Sequence, residues 1–199
     1  PQKARMGGSQ SKGLKRKELE ELHKRTHFTI EQIQDLYRHF KSISSSVSDD
    51  GVIDKKEFQQ ALGLQDSLFV DRMFKLFDCN SDGGINFTEF ICGLSVFCPN
   101  GTLEEKLRFS FDIYDFDHDG HISKKELHMM LEASLVENHM SLSEHQIQAL
   151  VEATFKEADS DGDGLIDFEE YRQMVQKHPS MIKNMTISDL GGASMGGAQ

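Results

Sequence analysis

The sequence is poor in cysteine, in long apolar runs and in positive charge, and each shortage narrows what the chain can be. Its three cysteines, Cys79, Cys92 and Cys98, are an odd set without the regular spacing of a disulfide framework. That points away from a small secreted scaffold and toward a reducing, cytoplasmic setting. No apolar stretch approaches the roughly 18 residues that cross a bilayer, and the N-terminal residues are polar, not a hydrophobic signal segment. An integral membrane domain is therefore not expected. Lys and Arg number 22 against 33 Asp and Glu, a net charge of −11, which is the wrong sign for gripping a nucleic-acid backbone. There is no Ser/His/Asp or Cys/His set outside the acidic loops described below and no Gly-rich phosphate loop, so the sequence reads as a non-enzyme.

What is present is an ordinary globular composition, 37% apolar and 28% charged, with the charge unevenly spread. Residues 1–25 carry eight Lys/Arg and three Glu, a net +5, which leaves −16 for the rest. Such an acidic body repels itself, and divalent cations are one way to offset it. Residues 1–25 are also rich in Gly, Ser and Lys and read as a flexible basic tail, with a helical turn or two over Leu14 to Leu22. Thr29 and Gln32 then form a capping-box pattern flanked by the staple pair Phe28 and Ile33, predicting a helix from about Ile30 to Ile43.

From there an apolar-periodic helix, a short Asp/Gly-rich loop and a second helix recur four times. Ser143 and Gln146 predict the start of another long helix reaching about Ala158. Asn100 and Gly101 break the chain between the second and third repeats, dividing an N-terminal lobe, 26–99, from a C-terminal lobe, 100–178. In the remaining segment, 179–199, Pro179 opens a short helix with Met181, Ile182 and Met185 on one side, and a disordered Gly/Ala/Ser tail is expected after it. The expected fold is all-α: four EF-hand helix-loop-helix motifs in two paired lobes, with short β contacts between paired loops.

The loops carry the chemistry. To surround a hard cation with about six or seven oxygens in twelve residues, a chain needs Asp or Asn at positions 1, 3 and 5 and Gly at 6. It also needs a backbone carbonyl at 7 and a bidentate Glu at 12. Loop two supplies Asp78, Asn80, Asp82, the Gly84 carbonyl, Asn86 and Glu89. Loop three supplies Asp115, Asp117, Asp119, the His121 carbonyl, Ser123 and Glu126. Loop four supplies Asp159, Asp161, Asp163, the Leu165 carbonyl, Asp167 and Glu170. Ile85, Ile122 and Ile166 stand at position 8, where a β-branched residue suits a short antiparallel contact with the neighbouring loop. Three such matches in register between amphipathic helices are not an accidental cluster of surface acids, and the implied cofactor is Ca2+.

Loop one differs. Counting back from Glu57 with Gly51 at position 6 starts a twelve-residue loop at Ser46, with Ser48 and Asp50 as a poor ligand set. A fourteen-residue loop from Ser44 to Glu57 reads better, offering the carbonyls of Ser44, Val47 and Val52, with Asp49 near the metal and Glu57 closing the site. Ligand charge predicts that loops four and three bind tightest, loop two less tightly and loop one least, or not at all, its role then being to pair with loop two.

The chain resembles, over about residues 26–190, the calcineurin B-like calcium sensors of plants and related algae. The resemblance rests on the expanded first loop and on Pro179-Ser-Met-Ile-Lys-Asn-Met-Thr186. It also rests on the loop spacing, 25 residues (90–114) between loops two and three and 32 (127–158) between three and four. It implies a non-enzymatic calcium sensor that binds the regulatory segment of a dedicated serine/threonine kinase and recruits it to a membrane. The chain departs from the family in having no Phe-Pro-Ser-Phe type terminal motif and in having three fully matching loops. A start at Met6 would make Met6-Gly-Gly-Ser-Gln-Ser11 a myristoylation signal at Gly7, with Gly8 where relatives have a palmitate-accepting Cys. The basic cluster Lys12, Lys15, Arg16 and Lys17 would then be the second signal that peripheral membrane association needs.

For output, sensor EF-hands part their helices and uncover a soft groove. Met73, Met129, Met130, Met140 and Met174 are candidates to line it for an amphipathic partner helix, while Phe74, Phe77, Phe90, Phe109, Phe111 and Phe155 read as core. The Met181 to Ile187 segment is expected to cover the groove until a partner displaces it. Two rival readings are the regulatory B subunit of the phosphatase calcineurin, whose first loop is a regular twelve residues, and a calcium buffer that binds without opening.

Overall fold

A computed structural model describes residues 14–46, 50–63, 68–182 and 185. Its α-helices are α1 (Arg16–Arg25), α2 (Ile30–Ile43), α3 (Lys55–Leu62), α4 (Leu68–Phe77), α5 (Phe87–Ser95), α6 (Leu103–Tyr114), α7 (Lys124–Glu137), α8 (Glu144–Ala158) and α9 (Phe168–Lys177). The described residues also form two short strands, β1 (His121–Ser123) and β2 (Leu165–Asp167), and a 3-10 turn at Pro179–Met181. The all-α EF-hand architecture is as the sequence predicts.

Helix starts follow the capping chemistry. The Thr29 hydroxyl accepts from the Gln32 N–H while the Gln32 side chain accepts from the Thr29 N–H, and Ser143 with Gln146 repeats the exchange at α8. Phe28 and Ile33 are 1% and 0% exposed, so the staple is closed. The loops pair in twos. Ile122 faces Ile166 across β1 and β2, and Ile53 and Ile85 exchange two backbone hydrogen bonds of 2.9 Å. Each pairing couples one helix-loop-helix to its neighbour, so neither loop can shift alone.

Two apolar clusters result. The first gathers the N-terminal repeats around Phe28, Phe40, Phe58, Phe77 and Phe90, and the second packs Phe111, Val151, Phe155, Tyr171 and Met174. Helix α6 serves both: Phe109 and Ile113 enter the first cluster, Leu107 and Phe111 the second. Met130 of α7 also joins the first cluster. The break at Asn100 and Gly101 therefore separates the repeats in sequence, while the packed clusters meet along α6.

The expected flexible tail does not extend to residue 25. Leu19 and Leu22, three apart in an otherwise charged stretch, form the apolar side of α1 and bury against the first cluster at 7% and 5% exposure. Average composition hides a stripe of two leucines, and tertiary contacts fix it. The His27 N–H donates to Ser95 Oγ at 2.8 Å, and His27 Nε2 meets Glu105 Oε2 at 2.9 Å, tying the segment after α1 to α5 and α6. Leu22→Ala should accordingly cost about 2–4 kcal/mol, read as a lower thermal midpoint. An unchanged midpoint would mean that α1 is not part of the core.

Candidate functional site

Each loop begins where a helix ends. Asp115 and Asp159 are the residues that terminate α6 and α8, and Asp78 directly follows α4. Each loop also ends by starting the next helix. Its position-9 residue is the N-cap and its position-12 Glu is the reciprocal capping partner, in the pairs Asn86/Glu89, Ser123/Glu126 and Asp167/Glu170. One acidic side chain thus fixes the exit helix to the loop it closes.

Within each loop, backbone N–H groups pre-shape the carboxylates. Asp78 accepts from Asp82 N at 3.1 Å and Gly83 N at 2.9 Å. Asp115 Oδ2 accepts from Gly120 N at 3.0 Å, and Asp159 accepts from Gly162 N at 2.7 Å and Gly164 N at 3.0 Å. The turn at position 6 runs through positive φ, 90° at Gly83, 88° at Gly120 and 86° at Gly164, which a side chain would strain. The position-12 carboxylates close the far side. Glu126 accepts from Phe116 N at 2.7 Å and Ser123 N at 2.8 Å, and Glu170 from Ser160 N at 2.7 Å and Asp167 N at 3.0 Å. Glu89 accepts from Asn80 N at 3.3 Å and Asn86 N at 3.0 Å.

In loop three, carboxylate oxygens of Asp115, Asp117 and Glu126 lie within 4.8 Å of one another, and in loop four those of Asp159, Asp161 and Glu170 do the same. At that separation each like-charge pair costs on the order of 3 kcal/mol at an effective dielectric of about 20. Asp115 Oδ1 is buried without a hydrogen-bond partner among the described residues. Hard anionic oxygens, crowded and in one case orphaned, fit a divalent cation such as Ca2+. For Glu170, burial alone would raise the carboxyl pKa, but hydrogen bonds from the Asp167 and Ser160 N–H groups and the Ser160 hydroxyl hold it below the usual range. The charged, metal-ready form is favoured.

Loop one is built on the same plan at its ends. Ser44 terminates α2 as Asp115 and Asp159 terminate α6 and α8, and Asp54 with Glu57 caps α3. Among the described residues, the fully buried Ser44 Oγ has no hydrogen-bond partner, and Glu57 is 1% exposed. Ser44, at the end of α2, thus stands where Asp115 and Asp159 stand in loops three and four. Val47 and Asp49 lie outside the described residues, as does Gly7. Val52 N donates to Asp50 Oδ1 at 3.2 Å.

Sequence reasoning missed Arg72. This residue is 3% exposed and leaves α4 to meet loop three from the other cluster. Its Nε donates to Ile113 O (3.2 Å), Nη1 to Phe116 O (3.0 Å), and Nη2 to Asp112 O (2.7 Å) and Asp115 O (2.6 Å). Its guanidinium also stands 4.7 Å from the Phe116 ring centre. Burial lowers its pKa, and Asp115, Glu126 and Asp112 pull the other way. A lone Arg in an amphipathic helix carries no sequence signal for this, because most such residues are solvated.

Of the candidate groove residues, Met174 lines a cavity of about 280 Å3 in the C-terminal lobe, together with Leu127, Leu131, Ile166 and Tyr171. His178 and Met181 form part of its wall. Met130 instead packs in the first cluster with Met73 against it, and Met140 is 59% exposed.

Comparison with known proteins agrees with this geometry. The family model for an EF-hand domain pair matches residues 104–176, and that for an EF-hand domain matches residues 69–97. The chain is 41% identical to the calcineurin B subunit of Naegleria gruberi, over 90% of this chain and 98% of that protein. It is 38% identical to the calcineurin B subunit of Schizosaccharomyces pombe, over 92% of this chain and 98% of the relative. Calcineurin B-like protein 5 of Arabidopsis thaliana is 36% identical, with 89% of each chain covered. With its paired loops, capped exit helices and end-to-end similarity to these relatives, the chain belongs to the calcineurin B and calcineurin B-like family of calcium-binding EF-hand proteins.

Proposed function

We propose that the chain is a calcium sensor that regulates a catalytic partner by holding an amphipathic segment of it, the partner being a serine/threonine kinase of the type that calcineurin B-like proteins serve. The observation that carries this reading is the cavity of about 280 Å3 between α7, α8 and α9, apolar on its Leu127, Leu131 and Met174 walls and bordered by Met181. The proposed calcium ligands are the position 1, 3, 5, 7, 9 and 12 groups of loops two to four, with loop one a weaker site. The fourteen-residue span from Ser44 to Glu57 supports the kinase over the phosphatase.

The second reading, regulation of the calcineurin catalytic subunit, is favoured by calcineurin B relatives, among them those 41% and 38% identical. Affinity purification from native lysate, with and without calcium, separates the two: a kinase recovered only with calcium supports the first, and a phosphatase catalytic chain supports the second. A buffer would show no calcium-dependent gain in binding of a hydrophobic dye, whereas a sensor should show one. Removal of residues 179–199 is expected to raise that dye signal without calcium, because Met181 borders the cavity and Ile182 packs on the second cluster. No change would mean that the segment does not cover the cavity. Association with a membrane surface would depend on acylation at Gly7, which mass spectrometry of the native protein reads directly. Among the described residues, no helix is long and apolar enough to cross a membrane.

A further inference from the structure

Outside the calcium loops, a cluster of ligating side chains bridges two helices. His128 and Glu132 stand one turn apart on α7, and Glu144 opens α8. His128 Nε2 is 2.9 Å from Glu144 Oε1, and His128 Nδ1 is 3.5 Å from Glu132 Oε2. One ligating atom from each of the three residues falls within 4.8 Å of the other two.

The helices run antiparallel along this seam. Lys124 Nζ meets Glu152 Oε2 at 2.7 Å near the start of α7, and four residues later in α7 the contact has moved back to Glu144 at the start of α8. Glu132, one turn further along α7, meets the other ring nitrogen, so two carboxylates flank one imidazole. Where Lys124 meets Glu152, Glu132 and Glu144 share the His128 ring. The His128 side chain is 20% exposed, so its ring is held against the helix pair, while the carboxylates, 51% and 72% exposed, are free to adjust.

We propose that His128, Glu132 and Glu144 form a binding site for a divalent transition-metal ion that clips α7 to α8. A nitrogen and an oxygen 2.9 Å apart already approach the edge of a tetrahedron around an ion held at about 2.0–2.1 Å, an edge of roughly 3.3 Å. Glu132 lies on the Nδ1 side and would have to swing round to the Nε2 edge to complete a three-ligand set with water in the fourth position. One imidazole with two carboxylates suits Zn2+, Co2+, Ni2+ or Cu2+ and disfavours Ca2+, which takes six to eight oxygens. None of the three is among the calcium ligands, of which Glu126 stands two residues before His128 on α7. The site lies beside the cavity, because Leu127 and Leu131 on the same helix and Thr154 on α8 line that space. A metal here would hold the two helices that form the cavity wall at a fixed separation.

The test is titration of the full chain with zinc chloride after calcium saturation, which fills the acidic loops beforehand. One equivalent should bind in the micromolar range and raise the thermal midpoint by a few degrees. His128→Ala should weaken that uptake by at least about tenfold and abolish the shift, while the calcium-dependent circular dichroism stays as in the native protein. Should His128→Ala disturb folding, Glu144→Gln, at an exposed helix start, reads the same loss. Absence of zinc uptake at micromolar concentration overturns the proposal. So does uptake that both variants leave unchanged, because Cys79 or a histidine elsewhere would then be the ligand.

Discussion

Glu170→Gln is expected to weaken calcium uptake at loop four by about a hundredfold, at or beyond the upper end of the roughly 10–100-fold that loss of an outer-shell partner costs a metal site. The expectation is large because Glu170 performs two tasks. It accepts from Ser160 N and the Ser160 hydroxyl on one side and from Asp167 N on the other, so it joins the first and last parts of the loop. Gln keeps one acceptor oxygen and loses the charge and the bidentate grip. Glu126→Gln should act similarly at loop three and Glu89→Gln less, because Asn80 and Asn86 leave loop two with fewer anionic ligands. Glu57→Gln should have the smallest effect of the four. Isothermal titration of the variants checks the order, and a dominant loss from Glu57→Gln would contradict it.

Arg72→Met is expected to destabilise the calcium-free protein by about 3–5 kcal/mol, the cost of breaking a buried charge network. Met fills much of the volume but leaves the carbonyls of Asp112, Ile113, Asp115 and Phe116 without their donor, at the C-terminal end of α6 where carbonyls already lack helical partners. The guanidinium is also a buried positive charge facing Asp115 and Glu126. With calcium bound, part of that compensation passes to the ion, so the loss should be smaller. Thermal unfolding with and without calcium reads both numbers. Equal losses in the two states would mean that Arg72 serves packing alone and does not balance loop three.

The calcium loops are legible in the sequence because their chemistry acts at fixed spacing. A hard cation dictates which residues stand at positions 1, 3, 5, 6 and 12, and the same Glu that closes a loop writes the capping box of the next helix. The pairing of Ile122 with Ile166 follows from the same register, and the structure supplies Ile53 of the longer loop one as the counterpart of Ile85. Helix α2 is legible to the residue at its start because Thr29, Gln32, Phe28 and Ile33 act locally. What depends on distant contacts is not legible. Nothing near Leu19 and Leu22 in sequence shows that α5 and α6 will anchor the segment after them. The two faces of α6 look alike until the clusters on either side are known, and Met130, a groove candidate by residue type, packs in the first cluster. Arg72 and the junction of His128 with Glu144 each join separate helices, where spacing carries no signal.

Acidic loops shaped by their own backbone should take up calcium, and the C-terminal lobe should respond as they fill. Equilibrium dialysis of the full chain against a series of free calcium concentrations, with hydrophobic-dye fluorescence read on the same samples, measures both halves of that statement at once. At least three ions per chain should bind by micromolar free calcium, with the fluorescence rising over the same range. Fewer than three ions, or full occupancy with flat fluorescence, would show that these loops do not drive a calcium sensor.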